Sequence, residues 1–128
     1  MATFVVRDKR DGVLITLESL LGKLPPIQAR SYCIRNFRLH YGTPLGLNAI
    51  EFEKQTATPQ GLCLDADQFQ SLISSDFQIT EGEIEMLLPP SMGSGSATIA
   101  CVDASQWDIS TQSKDLEAAL DRLGFQRE

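Results

Sequence analysis

Gly61-Leu-Cys-Leu-Asp-Ala-Asp-Gln-Phe-Gln-Ser-Leu-Ile73 is the stretch from which the fold can be read outward. Leu62, Cys63 and Leu64 form a short apolar run suited to a strand. Asp65 can accept a hydrogen bond from the first free amides of a helix. Gln68, three residues on, can reach back to the Asp65 amide, which is the spacing of a capping box. Phe69, Leu72 and Ile73 then fall at i, i+3 and i+4 on one helical face. The spacing therefore predicts strand, tight turn and helix, with the helix needing a sheet to cover.

Downstream, Thr80-x-x-Glu83 repeats the capping signature, and Ile84, Leu87 and Leu88 repeat the apolar offsets. This predicts a second short helix, stopped by Pro89 and Pro90. Residues 89–97, with Gly93 and Gly95, read as a flexible loop. Thr98 to Val102 and Trp107 to Ser110 read as two strands. Ser113 caps a final helix with Asp115 and Glu117 in its first turn and Leu116, Ala119, Leu120 and Leu123 as its apolar stripe. Gly124 ends it, with Phe125 packing back.

Upstream, Thr3 to Arg7 and Val13 to Ile15 are rich in β-formers and flank the turn residues Asp8 to Gly12, which predicts a hairpin. Thr16 caps a helix carrying Leu17, Leu20, Leu21 and Leu24, and Pro25 and Pro26 end it. Residues 27–41 fit two periods. As a helix they place Ile27, Ile34, Phe37 and Tyr41 together; as a strand they alternate Phe37, Leu39 and Tyr41 with Arg38 and His40. The strand is preferred and requires a bulge near Arg35 and Asn36, because Tyr32 and Ile34 hold the opposite parity. Ile50 and Phe52 predict its return strand across the loop Thr43 to Asn48. These elements give one α+β domain over residues 1–128: an antiparallel sheet of five or six strands with two or three helices on one face.

The chain has 128 residues, 42% of them hydrophobic, enough for a core without covalent staples. No apolar run approaches the ~18 residues of a membrane span, so no membrane association is expected. Charged residues from Arg7 to Asp11 stand where a signal peptide would be apolar. Cys33, Cys63 and Cys101 are odd in number and lack zinc-ligand spacing, which predicts buried thiols and a cytoplasmic protein, or a nuclear one in a eukaryote. The single histidine, His40, excludes any site that needs two. There is no G-x-S-x-G, H-E-x-x-H or G-x-x-x-x-G-K signature. No catalytic residue, metal or cofactor is expected.

Charge carries what functional information remains. The net charge of -6 is unevenly spread. Residues 19–50 hold Lys23, Arg30, Arg35 and Arg38 and no acid, whereas residues 51–108 hold ten acids against Lys54 alone. An acidic surface made from Glu81, Glu83, Glu85, Asp65 and Asp67 would engage a basic protein, as a small inhibitory or regulatory module does. The alternative uses residues 30–41, where Arg35, Phe37, Arg38 and Tyr41 interleave cations with rings as a single-stranded nucleic acid requires. Either is compatible with a homodimer.

Phe4-Val-Val-Arg-Asp-Lys-Arg-Asp-Gly-Val-Leu-Ile15 and Gly61-Leu-Cys-Leu-Asp-Ala-Asp-Gln-Phe-Gln-Ser-Leu72 resemble two parts of the transcriptional-coactivator family that binds single-stranded DNA, its opening strands and its strand-to-helix join. That resemblance implies DNA binding. The segment between the two stretches is longer here, and the overall balance is acidic where those domains are basic.

Overall fold

In a computed structural model, which describes residues 1–93 and 95–128, the chain folds into one antiparallel sheet with helices packed on it. In chain order the elements are β1 (Ala2–Val6), β2 (Lys9–Arg10), β3 (Val13–Leu14), α1 (Leu17–Lys23), β4 (Ser31–Gly42), α2 (Ala49–Thr56), β5 (Leu62–Leu64), α3 (Ala66–Ile73), β6 (Phe77–Leu87), β7 (Ser96–Val102), β8 (Gln106–Thr111), α4 (Lys114–Arg122) and β9 (Gln126–Arg127). The main sheet runs β5-β4-β6-β7-β8-β1-β9, and β2 and β3 form a separate small hairpin.

The central unit forms as its residues dictate. Asp65 Oδ1 accepts from the Gln68 amide at 2.8 Å, and Gln68 Oε1 accepts from the Asp65 amide at 2.9 Å. Phe69 and Leu72 are buried, and the Phe69 ring stacks on Tyr32 of β4 with centroids 3.9 Å apart. Thr16 caps α1 and Ser113 caps α4. The end of α4 closes with the Phe125 amide on Leu120 O and the Gly124 amide on Asp121 O, a Schellman pattern that the Gly124 φ of 83° permits.

Strand β4 contains the expected bulge. Arg35 pairs with Glu83 and Arg38 with Glu81, so three steps on β4 face two on β6, and Asn36 takes a φ of 54°. The extra residue switches parity, and Ile34 and Phe37 both point into the core. Gly82 on β6 makes room for this: a Cβ there would run into the Phe37 ring.

Four expectations are corrected. Strand β1 does not pair with Val13–Leu14; it pairs with β8 and β9, and the hairpin shrinks to Lys9–Arg10 against Val13–Leu14. Ile50 and Phe52 lie on helix α2, not on a return strand, because the Asn48 side chain accepts from the Glu51 amide at 2.9 Å and starts a helix. The segment after Thr80 is strand, not helix: Ile84 and Met86 point into the core while Glu83 and Glu85 point away, a period of two. Cys33 and Cys63 are not buried thiols. They are register partners on β4 and β5 and form a disulfide, whereas Cys101 is free and buried. The loop expected near 89–97 contains a 3-10 turn at Pro90–Met92, and Ser94 lies outside the described residues.

All four helices feed one core with the inward side chains of the sheet, including Phe4, Ile34, Phe37, Phe52, Ile84, Ile99, Trp107 and Leu120. Trp107 Nε1 donates to Ile15 O at 2.8 Å, and Gln78 Nε2 donates to Leu14 O, tying the segment before α1 to the sheet. Among the described residues no buried side-chain nitrogen or oxygen lacks a partner. No helix among the described residues is long and apolar enough to cross a membrane.

Candidate functional site

Strand alternation sends every second side chain to the face of the sheet away from the helices. The pairing fixes two rows there. One runs Cys33, Glu85, Thr98, Ser110, Thr3; the next runs Arg35, Glu83, Ala100, Asp108, Val5. Glu81 and Arg38 pair one step further along β6 and β4, and both are exposed. Glu81, Glu83 and Glu85 thus form a column along β6. Between that column and Asp108 runs β7, whose outward side chains are Thr98, Ala100 and, level with Glu81, the exposed Val102. Two strand spacings span about 10 Å, so the carboxylates border a shallow trough.

The column is partly neutralised. Arg35 Nη2 lies 3.3 Å from Glu85 Oε1, Arg35 Nη1 lies 3.9 Å from Glu83 Oε1, and Arg35 Nε donates to Pro59 O. The basic and acidic blocks of the sequence are therefore neighbouring strands, and their charges interleave. Glu81, Asp108 and Arg38 make no ion pair among the described residues. Asp108 instead accepts from Gln106 Nε2 at 2.7 Å, and Gln106 Oε1 accepts from Arg7 Nε. Asp65 and Asp67 stand apart from the column, at the start of α3 on the helical layer, where Asp65 is occupied as the cap.

Of the basic and aromatic set, the structure brings Arg35 and Phe37 into internal roles. Phe37 is 2% exposed, lies edge-on to Phe52, and donates its amide hydrogen to Thr56 Oγ1 at 3.1 Å. A ring so placed offers no face to a nucleobase. Arg38 and Tyr41 remain at the surface, Tyr41 beside the exposed His40.

A second charged group escaped sequence reasoning. Arg127 of β9 reaches Glu117 Oε1 at 2.7 Å and Asp121 Oδ2 at 2.6 Å on α4, and its guanidinium sits 5.1 Å from the Phe4 ring centre. Hydrogen bonds from Arg127 hold both carboxyls below their ordinary range. The i, i+4 spacing of Glu117 and Asp121 was visible; a two-residue strand was not. Elsewhere, burial pushes the Cys101 thiol up to about 11, against a weaker lowering by a backbone hydrogen bond. Asp108 was also missed as a site residue, since only the register sets it across from Glu83. No group of three or more His, Cys, Asp or Glu converges as metal ligands among the described residues.

Compared with protein-family models, with curated proteins and with solved structures, the chain matches none.

Proposed function

We propose that this chain is a non-enzymatic binding module of the inhibitory or regulatory kind, which takes a basic segment of a partner protein across the helix-free face of its sheet. The observation that supports this reading is the column Glu81, Glu83 and Glu85 facing Asp108 over the short side chains of Thr98 and Ala100. An extended, lysine- or arginine-bearing segment fits such a trough, because the floor admits a backbone closely and the flanking carboxylates meet its cations. Among the described residues Glu81 and Asp108 make no ion pair, and they are the first charges such a partner would meet. Rim charges of this kind act mainly on encounter rate and salt dependence.

The test is titration with an extended lysine-rich peptide, followed by backbone amide shifts. Perturbations centred on residues 81–85, 98–100 and 108, and lost in the double variant Glu81→Lys with Asp108→Lys, support the reading. Binding that maps to the helical layer, or that survives the double variant at an unchanged thermal midpoint, overturns it.

A further inference from the structure

Strand β5 forms one edge of the sheet, is three residues long, and pairs with β4 alone. The Cys33–Cys63 bond joins the middle pair of that short ladder. Both sulfur-bearing residues lie on the helix-free face, where Cys63 is exposed and Cys33 is half-buried. Thr58, Pro59 and Gln60, just ahead of β5, are exposed as well. The rest of the neighbourhood does not depend on the bond. The other edge of β4 pairs with β6 along its length, and α3 is anchored by Phe69 and Leu72 in the core.

We propose that Cys33–Cys63 is a thiol–disulfide exchange site, open to small dithiols in the folded protein, whose cleavage frees β5 from the edge of β4 and leaves the rest of the sheet in place. The chemistry is a two-electron exchange. A thiolate of the dithiol attacks the Sγ of Cys63, the more exposed residue of the pair, forming a mixed disulfide as the Cys33 Sγ–Cys63 Sγ bond breaks and Cys33 leaves as thiolate. The second thiol of the reagent then displaces Cys63 and closes the reagent into a cyclic disulfide. The reagent is oxidised, the protein disulfide is reduced, and the reagent's two protons end on Cys33 and Cys63. With the bond gone, the ladder between residues 32–34 and 62–64, the packing of Leu62 and Leu64 on the core and the Arg35 contact to Pro59 are what hold the edge. A three-residue edge strand so held belongs to the least stable part of a fold.

The experiment treats the folded protein with dithiothreitol under native conditions, alkylates with iodoacetamide, and follows amide hydrogen exchange by mass spectrometry. Cys33 and Cys63 are expected to label while Cys101 does not. Exchange at residues 62–64 is expected to rise about tenfold or more, with residues 82–86 and 97–101 unchanged. The variant Cys33→Ser with Cys63→Ser should show the fast exchange without reductant and no response to it. Labelling of Cys101 together with the pair, resistance of the bond until the protein unfolds, or unchanged exchange at residues 62–64 after reduction would each overturn the proposal.

Discussion

At one edge of the sheet β5 is closed by a covalent bond, and the exposed length of β4 beyond it is covered by α2, whose Thr56 hydroxyl takes up the Phe37 amide. At the other edge β9 is closed by the Arg127 side chain, which spans two carboxylates of α4 and the face of Phe4. Both devices hold a very short outermost strand to its inner neighbour, and that shortness is what limits the row of backbone groups left open at each edge. They answer to different conditions. The β5 edge should respond to reductant and ignore salt, whereas the β9 edge should respond to salt and acid and ignore reductant.

The largest effect expected is that of removing the disulfide. Its two cysteines are 30 residues apart in sequence, and loop-closure entropy for a span of that size amounts to about 3 to 4 kcal/mol. Urea unfolding of the oxidised and reduced protein measures it; a difference that shrank with added salt would blur the contrast between the edges. Next in size is Thr56→Val. It keeps the shape of a fully buried side chain but leaves the Phe37 N–H without an acceptor, at a cost of about 1 to 3 kcal/mol. The same unfolding assay reads it, and a loss that vanished on reduction would mean that α2 and the disulfide act as one unit.

The smallest effect is that of Arg127→Gln, which should loosen β9 without unfolding the domain. Glu117 and Asp121 have depressed carboxyls in the folded state, so what they contribute is present above the ordinary carboxylate range and fades as pH falls through their lowered values. In thermal melts the parent protein should therefore lose stability on acidification more steeply than Arg127→Gln does, and high salt should narrow the gap. Equal acid sensitivity in both would remove Arg127 as the clasp of this edge.

Much of the architecture was legible where the signal is local. The Asp65–Gln68 box, the Thr16 and Ser113 caps, the Gly124 stop and the bulge near Asn36 all follow from residues within a few positions of one another. The same local signature misled at Thr80–Glu83. There the alternation of Ile84 and Met86, the absence of a side chain at Gly82 and the demand of β4 and β7 for a partner between them outweigh a capping spacing. Helix α2 was hidden for the reverse reason: Ile50 and Phe52 alternate over too few residues to outvote the Asn48 cap.

The site was less legible than the fold. Acidic and basic blocks are a property of chain order, and pairing β4 with β6 sets Arg35 against Glu83 and Glu85 and Arg38 against Glu81. The disulfide was invisible for the same reason, since facing positions on two strands are decided by register and not by spacing.

The bulge at Asn36 and two further register shifts, at Arg38/Leu39 and Leu39/Tyr41, leave only the stretch from Ser31 to Arg35 of the longest strand evenly indexed against β6. A one-residue slip of that stretch would turn Tyr32 and Ile34 from the core toward water, so its alignment is strongly specified. A single setting thus governs the inner half, from Ser31 to Arg35, while the outer half, from Arg38 onward, is set pair by pair.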